Sequence, residues 1–277
     1  MKEKIKISVI IAVYNKKEQL RNILKCLLKQ NEKPFEVIVA DDGSKEDIKG
    51  VILEFENPYF KIKHAFQEDL GFRLAASRNN GIRLAEGDFL IFVDQDAIFG
   101  SNFLKNMREN IAEGRVLKVN DYITTEEEKN KILEVLKKEF DYKEVIEILN
   151  KDRIKYLKKL DRKDRLYHLL FKLKLRNRGA KIKGLISGVL KKDCIAINGF
   201  DENYVGWGCE DDDFGNRLIA LGVLAKVVTL DEPLLHMYHD TPQLAGLLSV
   251  NEDYYNERKK IILKQKEYKC KNGLIKY

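Results

Sequence analysis

The sequence is poor in residues that mark several common classes of protein. Its 277 residues include four cysteines, four prolines, three methionines and one tryptophan. Cys26, Cys194, Cys209 and Cys270 have no short paired spacing, which argues against a zinc cluster and against a small disulfide scaffold. Scattered cysteines are typical of a reducing compartment. We therefore expect a cytoplasmic protein.

Long apolar runs are also missing near the N-terminus. Ile7–Val13 is about half as long as a membrane-spanning helix, and it leads directly into Tyr14 and Asn15. We interpret this run as a buried first strand, not as a signal peptide or an anchor. The sequence has no repeat and no low-complexity linker, which favours one main domain.

The excess of positive charge is local. The chain has 51 basic and 44 acidic residues, a net charge of +7, whereas Lys151–Arg178 alone carries +9. The segment Arg258–Tyr277 is basic as well. Such runs are usually solvated helix faces, and the alternative is an anionic partner such as an acidic polymer or a membrane surface. A nucleic acid is not expected as a partner, because the positive charge of residues 151–178 is the single feature of the sequence that would support it.

Apolar, strand-like runs alternate with segments of helical periodicity in the first hundred residues. The predicted strands are Ile7–Val13, Phe35–Ala40, Lys61–Phe66 and Phe89–Val93, and the predicted helices are Glu18–Gln30, Lys45–Phe55 and Leu74–Ala85. Ser44 is expected to cap the second helix. This alternation favours a doubly wound parallel sheet, whose ligands bind beyond the carboxyl ends of the strands. Asp41, Asp42, Asp94 and Asp96 all lie at such ends.

The composition changes after residue 123. Lys- and Glu-rich segments with helical periodicity predict an inserted, basic helical hairpin, either packed on the core or acting as a mobile lid or acceptor-binding arm. Its two helices are expected over Glu126–Leu149 and Asp152–Leu175. The other predicted strands are Val116–Ile123, Leu185–Leu190, Cys194–Ile197 and Val223–Leu230, and a further helix is predicted over Phe214–Leu221.

Two acidic clusters carry the chemistry. Asp94 and Asp96 alternate at the end of an apolar strand, where two carboxylates can hold magnesium or manganese against a diphosphate; an ordinary charged turn is the alternative. The second cluster, Glu210–Asp213, begins a predicted helix, where helix capping is the alternative to a general base. Trp207 lies between two glycines just before it, and its indole face can stack on a sugar.

Histidines and arginines supply further candidates. His236 and His239 follow a predicted strand at a spacing of three, which allows metal ligation as well as a structural role. Arg73 and Arg78 lie near a predicted helix start, which suits phosphate or base contacts, although surface ion pairs would also explain them. Asp41 can accept a hydrogen bond from a base.

Together these motifs resemble the family 2 glycosyltransferases of the GT-A fold. The nucleotide-sugar motifs of that family are matched at Ile7–Asn15, Asp41–Ser44, Arg78–Gly81 and Val93–Asp96. Gly199–Asp213 is similar to a segment of β1,4-galactosyltransferases and of the bacterial chondroitin-polymerase N-acetylgalactosaminyl domain. The resemblance implies an α/β fold, a Rossmann-like mixed sheet flanked by helices. Cys209 stands where the family usually has glycine, and residues 126–175 have no counterpart that can be aligned.

The resemblance also implies domain limits. We expect a glycosyltransferase domain over residues 1–240, followed by a basic helical tail over residues 241–277. The domain would consist of a nucleotide-sugar-binding part, a helical insertion and an acceptor and catalytic part, at residues 1–123, 124–178 and 179–240.

Individual roles follow from the same resemblance. Asp211 would be the catalytic base, assisted by Glu210, and Trp207 and Glu210 would hold the sugars. The nucleotide sugar would be bound by Ala12, Tyr14, Asp41, Arg73, Arg78 and Asp94. A divalent metal, Mn²⁺ in preference to Mg²⁺, would be bound by Asp96, His239 and His236.

The implied activity is inverting, metal-dependent transfer of a sugar from a UDP-sugar donor to a hydroxyl of a glycan or glycolipid acceptor. A galactose-type or N-acetylgalactosamine-type sugar is favoured, in surface or capsular polysaccharide synthesis, on the inner face of the membrane. The alternative is a non-catalytic module that binds a nucleotide sugar or an acidic glycan. A pyrophosphorylase fits less well, because the loop after the first strand, Val13–Lys17, contains no glycine.

Overall fold

A seven-stranded mixed sheet forms the centre of the computed structural model, which describes residues 5–138, 140–176, 182, 185–239 and 245–277. The strands are β1 (Ile7–Val13), β2 (Glu36–Asp41), β3 (Lys61–Phe66), β4 (Phe89–Asp94), β5 (Ala97–Ile98), β6 (Arg115–Val119), β7 (Asp121–Ile123), β8 (Ile186–Leu190), β9 (Leu224–Val228) and β10 (Leu234–His236). The helices are α1 (Lys17–Leu28), α2 (Ile48–Glu54), α3 (Leu74–Leu84), α4 (Phe103–Asn110), α5 (Glu126–Lys137), α6 (Tyr142–Ile148), α7 (Lys151–Lys172), α8 (Lys191–Ala196), α9 (Glu210–Leu221) and α10 (Ala245–Gln265).

The order of the large sheet is β3-β2-β1-β4-β8-β6-β9. The first four strands are parallel, whereas β8 runs antiparallel to both β4 and β6. The mixed sheet implied by the family resemblance is confirmed, and the wholly parallel sheet predicted from the alternation is wrong. A strand buried on both faces is an apolar run in either direction, so its sequence does not reveal how it pairs.

The first strand illustrates why the sheet is central. Ile7, Val9 and Ile11 face one apolar layer, which includes residues of α1, and Ile10 faces the other layer. All seven residues of β1 are buried. This two-sided burial explains the nearly continuous apolar sequence, and it confirms the interpretation of Ile7–Val13 as a buried strand.

A second, three-stranded sheet has the order β5-β10-β7. The single strand expected over Val116–Ile123 is in fact two, because the chain leaves the large sheet at Asn120 and enters the small one as β7. Asn120 is buried and donates hydrogen bonds to Asp161 and Asp164 of α7. The break therefore depends on a contact more than forty residues away, which the local pattern does not contain.

Two other local predictions are wrong. The strand predicted over Cys194–Ile197 is absent from the structure, because Cys194, Ile195 and Ala196 belong to α8; short apolar runs are ambiguous between the two states. Ser44 does not cap α2. Asp47 does so by accepting a hydrogen bond from the Gly50 N–H at 2.8 Å, while the Ser44 hydroxyl accepts the Asn15 N–H at 2.9 Å.

The insertion contains three helices, α5 to α7, instead of the two expected. Asp141 and Asn150 begin new helices by accepting hydrogen bonds from backbone N–H groups. The tail forms α10, and residues 266–277 continue without a helix. Residues 177 and 178 of the basic stretch and the proposed boundary at 240/241 lie outside the described residues, and the domain limits stay a prediction. Among the described helices, none is both long and apolar enough to span a membrane.

Candidate active site

The motif Arg78–Gly81 on α3 connects the two halves of the domain. Asn79 holds the backbone of Phe200, accepting its N–H at 2.8 Å and donating to its carbonyl at 2.9 Å. Gly81 lies directly on β1, where an added Cβ would come within 2.5 Å of Ile10 Cγ2. The side-chain amide of Asn79 thus joins α3 to the segment before α9, and the absence of a side chain at Gly81 lets α3 lie directly on β1.

Arg78 is the centre of a buried acidic cluster. Its side chain is 1% exposed and lies 5.2 Å from the ring of Phe200. One guanidinium nitrogen donates to Asp94 Oδ1 at 2.7 Å, and the other donates to Asp211 Oδ1 at 2.7 Å and to Glu210 Oε1 at 3.3 Å. A single cation therefore joins the end of β4 to the first turn of α9.

Three carboxylates face this one guanidinium. Burial raises the pKa of Asp94 to about 7, and Asp211 and Asp96 add to the effect while Arg78 opposes it. Burial and the neighbouring Asp211 likewise raise the pKa of Glu210 to about 8. Like charges in one enclosed space disfavour simultaneous ionisation. The cluster therefore retains protons at neutral pH.

Glu210 gives the protein a pH-dependent stability. Because its folded-state pKa is raised, the folded protein holds a proton that the unfolded chain releases, so Glu210 lowers stability progressively between about pH 4.5 and pH 8. We expect Glu210→Gln to remove this loss and to raise the melting temperature at about pH 9 by about 2–4 °C for each kcal/mol gained. Melting curves at several pH values would measure it.

The exposed Glu109 provides the control, since Glu109→Gln removes the same charge from a solvated position. We expect this variant to follow the parent protein at every pH. Equal pH profiles for Glu210→Gln and Glu109→Gln would contradict the role of the buried cluster.

The four acids of α9 divide between different partners. Asp213 is fully buried and accepts a hydrogen bond from Arg217 Nε at 2.6 Å, so it has a structural partner within the helix. Glu210 and Asp211 bind Arg78 instead. The N-cap residue is Cys209, in the left-handed region at φ 73°, and it makes no side-chain capping bond. Capping therefore does not account for the cluster.

A second constellation lies around Asp96. The Asp96 Oδ2 atom is 2.9 Å from His236 Nε2 and 3.2 Å from His239 Nε2, and the two imidazole nitrogens are 3.4 Å apart. The small sheet creates this convergence, because His236 pairs with Ala97 and the Met237 N–H donates to the Asp96 carbonyl at 2.9 Å.

These atoms fit a divalent metal. Two ligands at about 2.1 Å from one ion and about 90° apart lie about 3 Å from each other, which is close to the observed separations. Within the described residues, Asp96, His236 and His239 form a group whose ligand atoms all lie within 4.8 Å of one another. The second ring nitrogen of His236, Nδ1, is 3.3 Å from Asp121 Oδ2. Such a carboxylate orients a metal-binding imidazole.

Asp121 should increase the affinity of the site for a metal by orienting His236, without binding the metal itself. We expect Asp121→Asn to weaken Mn²⁺ binding by about 10-fold to 100-fold, as is typical when the partner of a ligating histidine is lost. Titration of the protein with Mn²⁺, followed by calorimetry, would measure the change. Unaltered Mn²⁺ affinity would contradict this role for Asp121.

The predicted nucleotide-binding residues lie along the carboxyl edge of the sheet. Ala12 is buried and pairs with Asp94 in the register of β1 and β4. The Tyr14 N–H donates to Gln95 Oε1 at 2.9 Å, so the middle residue of the Asp94–Asp96 motif holds the loop after β1. The Tyr14 hydroxyl donates to Asp69 Oδ2 at 3.2 Å.

The turn after β2 is fixed by its own carboxylates. Asp41 is 2% exposed, and it accepts the Ser44 N–H at 2.8 Å and contacts His64 Nε2 at 3.0 Å. Asp42 accepts the Arg73 N–H at 2.7 Å. The turn therefore positions the segment around Arg73 beside it, but the Arg73 side chain donates to the Glu68 carbonyl at 2.5 Å and not to the Arg78 cluster.

Trp207 lies on the loop before α9, and its side chain is 45% exposed. Its neighbours Gly206 and Gly208 adopt φ values of 84° and 100°, which side chains with a Cβ rarely tolerate. The Gly206 N–H donates to the Phe72 carbonyl at 2.9 Å, and the Trp207 carbonyl accepts from Asn251 of α10 at 3.2 Å. The indole is thus presented on a loop that is anchored on both sides.

Comparison with known proteins decides the family. The sequence model of "Glycosyl transferase family 2" matches residues 8–181, which include β2 to β7, all of β1 except Ile7, and both Asp94 and Asp96. The chain belongs to glycosyl transferase family 2. The predicted enzyme class, a glycosyltransferase of that family, is confirmed. A second model, described as "N-terminal domain of galactosyltransferase", matches residues 164–240 of this family 2 member.

Curated relatives of this family 2 glycosyltransferase include a chondroitin synthase and a glucosyltransferase. Chondroitin synthase of Escherichia coli is 30% identical over 229 residues, which are 80% of this chain and 33% of the relative. Validoxylamine A glucosyltransferase of Streptomyces hygroscopicus subsp. limoneus is 29% identical over 228 residues, which are 78% of this chain and 48% of the relative. The chain thus spans a third to a half of the length of these relatives.

Solved structures confirm the GT-A fold. The mannosyltransferase PcManGT from Pyrobaculum calidifontis, in complex with GDP-Man and Mn²⁺, superposes with a TM-score of 0.58 at 13% identity, covering 96% of this chain and 70% of that one. At this identity the similarity concerns the fold. It agrees with the central mixed sheet of this family 2 protein.

Several residues of the site were not predicted from the sequence. Asp121 orients His236, Gln95 holds the Tyr14 backbone, and His64 contacts Asp41. Each side chain comes from a strand or loop remote from its partner, so no local pattern marks it. Of these three residues, Gln95 is the one that the sequence marks, since it stands between Asp94 and Asp96.

Proposed function

We propose that this family 2 glycosyltransferase transfers a hexose from a UDP-sugar to a hydroxyl group of a glycan acceptor, with inversion at the anomeric carbon. The observation that carries the proposal is the position of Asp211. Arg78 holds this carboxylate beside Asp94, two residues before Asp96, whose Oδ2 lies within 3.2 Å of both histidines. Through Arg78 and Asp94, the proposed proton acceptor is linked to the strand end that carries the candidate metal ligand Asp96.

Asp211 is suited to act as the base. Its carboxylate is partly exposed, at 27%, while Arg78 fixes one of its oxygens. In the proposed reaction this carboxylate takes the proton of the acceptor hydroxyl, whose oxygen forms a bond to the anomeric carbon as the bond from that carbon to the diphosphate oxygen breaks. Attack from the face opposite the diphosphate inverts the centre in a single displacement.

Asp96, His236 and His239 would hold a divalent cation on the diphosphate side. When bound, such an ion offsets the negative charge of the leaving diphosphate. Two imidazoles and one carboxylate suit Mn²⁺ better than Mg²⁺, because Mg²⁺ prefers oxygen ligands only. Asp121 supports this proposal by orienting His236.

The donor would lie along the carboxyl edge of the sheet. We assign Ala12, Tyr14, Asp41 and Arg73 to the nucleotide, with uridine as the proposed base. Arg78 would act on the donor indirectly, because all three of its carboxylate contacts lie within the protein. Asp94 would face the ribose or the metal.

The sugar and the acceptor rest on the Trp207 loop. Trp207 and Glu210 are proposed to hold the sugars, and a galactose-type or N-acetylgalactosamine-type donor is favoured by the match of residues 164–240 to the galactosyltransferase model. A glucose-type donor is the second candidate, since one relative is a glucosyltransferase. The chondroitin synthase relative supports a polysaccharide or glycolipid acceptor. None of the four cysteines, all of which lie in the described part of the chain, forms a disulfide, which agrees with the proposed cytoplasmic location.

Slow hydrolysis of the donor tests the proposal. The protein would be incubated with Mn²⁺ and a panel of UDP-sugars, with GDP-mannose as a control nucleotide sugar, and the released diphosphate would be measured. We expect hydrolysis of one UDP-sugar, faster with Mn²⁺ than with Mg²⁺ and absent with a chelator. Binding of a UDP-sugar without any turnover would favour the non-catalytic module instead.

A further inference from the structure

One helix of the insertion directs carboxylates towards the protein and leucines towards solvent. On α7, Asp161 and Asp164 are buried, whereas Leu166, Leu169 and the C-cap residue Leu173 are 52%, 52% and 58% exposed. A helix on the surface of a globular protein normally has the opposite arrangement. Clustered exposed leucines mark a surface that contacts something else.

Polar contacts fix this orientation. Asn120 donates to Asp161 Oδ1 at 2.9 Å, and Lys118 forms a buried ion pair with Asp164. Nearer the start of the helix, Ile154 packs against the main apolar layer. Rotation of α7 to bury its leucines would therefore break a buried ion pair and expose Ile154.

The leucines continue a row of basic residues along the same face. Residues that alternate at spacings of four and three lie on one side of a helix. This α7 face consists of Lys155, Lys159, Arg162, Leu166, Leu169 and the C-cap residue Leu173. The whole helix carries nine basic and three acidic residues, and two of those acids, Asp161 and Asp164, are the buried pair. The outward charge is therefore strongly positive.

A basic cavity lies beside the C-terminal end of α7, where His168 and Lys172 line it. It has a volume of about 410 Å³ and lies between α7 and β9, the edge strand of the large sheet. Its ionisable lining residues are Glu113, Arg115, His168, Lys172 and Lys226. Glu113 is ion-paired with Lys192. Burial and the positive charges of Lys172 and Lys226 lower the pKa of His168, as expected where cations crowd together.

We propose that the α7 face and this cavity dock the protein on an anionic membrane surface. The leucines would enter the boundary of the acyl chains, the basic residues would lie among the head groups, and the cavity would accept a lipid phosphate. An acidic polysaccharide is less suitable, because a hydrated polyanion offers nothing to three exposed leucines. This surface contains no residue of the candidate active site, so the proposal does not depend on the reaction.

The basic tail is less suited to the same role. Arg258 is only 12% exposed and forms an ion pair with Glu267 at 3.2 Å, and Lys276 lies 3.5 Å from Glu202. Part of the positive charge of the tail is thus already neutralised within the fold. The α7 face therefore suits an anionic membrane better than the basic tail does.

Co-sedimentation with lipid vesicles tests the proposal. The full chain would be mixed with vesicles of phosphatidylglycerol and phosphatidylcholine, or of phosphatidylcholine alone. We expect binding to the anionic vesicles only, weakened when the salt is raised from about 0.1 M to about 0.5 M. Combined Leu166→Ser, Leu169→Ser and Leu173→Ser changes should reduce the partition coefficient at least tenfold, and so should Arg162→Glu with Lys172→Glu.

Matched controls are available elsewhere on the surface. Leu53, Leu84 and Leu263 are exposed by 57%, 42% and 56%, so changing all three to serine removes a similar apolar area. Lys49→Glu with Lys105→Glu reverses two exposed charges. Both control proteins should bind anionic vesicles like the parent. Donor hydrolysis measured without vesicles should be the same in every variant, which separates this test from that of the proposed reaction.

Three results would overturn the proposal. The parent protein could fail to bind phosphatidylglycerol vesicles, it could bind neutral vesicles equally well, or the leucine variant could bind like the parent. Binding to hyaluronan in place of vesicles, unaffected by the three serines, would assign the basic surface to an acidic polymer instead.

Discussion

Asp211→Asn is expected to lower turnover by about a hundredfold or more, with little change in donor affinity. The amide has nearly the same shape and can still accept the hydrogen bond from Arg78, which is 2.7 Å from Asp211 Oδ1. It is a far weaker proton acceptor, so the variant loses general-base assistance, which typically contributes 10²-fold to 10⁴-fold. Turnover would be measured with the UDP-sugar identified by hydrolysis, and donor affinity by calorimetry.

The neighbouring Asp212 serves as a control for the charge change. Asp212→Asn alters the same turn of α9 by the same chemistry, whereas the carboxylates of α9 that form ion pairs with Arg78 are Glu210 and Asp211. We expect this variant to keep most of its activity. Near-normal turnover in Asp211→Asn, or an equal loss in both variants, would exclude Asp211 as the base.

Asp96→Ala is expected to abolish metal-dependent binding of UDP. Its Oδ2 is the atom on which both imidazoles converge, at 2.9 Å and 3.2 Å, so no carboxylate would remain in the three-residue ligand group. The two histidines alone would bind Mn²⁺ weakly. Calorimetry would compare UDP binding with Mn²⁺ and with a chelator, and the difference seen in the parent protein should vanish in the variant.

Asp253, an exposed residue of α10, gives a matched control. Asp253→Ala should retain the full enhancement of UDP binding by Mn²⁺. In the presence of a chelator, the parent protein and Asp96→Ala should bind UDP equally. If Asp96→Ala kept the Mn²⁺ enhancement, the metal site would have to lie elsewhere.

The Asp121 prediction separates two explanations of the histidine pair. If His236 were only a structural residue, loss of its 3.3 Å contact with Asp121 would affect stability alone. If His236 is a ligand, the same change alters the orientation of its ring and therefore the Mn²⁺ affinity. A melting curve beside the Mn²⁺ titration distinguishes the two cases.

Much of the fold was predictable because its first half consists of strong local patterns. Ile7–Val13 and Lys61–Phe66 were predicted with the observed limits, and the helix that ends at Gly222 terminates there in the left-handed conformation. Prediction failed where distant contacts decide the outcome. The chain breaks at Asn120 because two aspartates of α7 bind this side chain.

The sequence by itself determined the family, the βα frame and the residue types of the site, because apolar periodicity and short motifs are local properties of the chain. Tertiary structure alone decided how the carboxylates of the site are shared: Arg78 binds Asp94 and Asp211, and Asp121 contacts His236, which lies against Asp96. These partners are separated by up to 133 residues. Their pairing depends on strand order and burial, which no window of sequence contains.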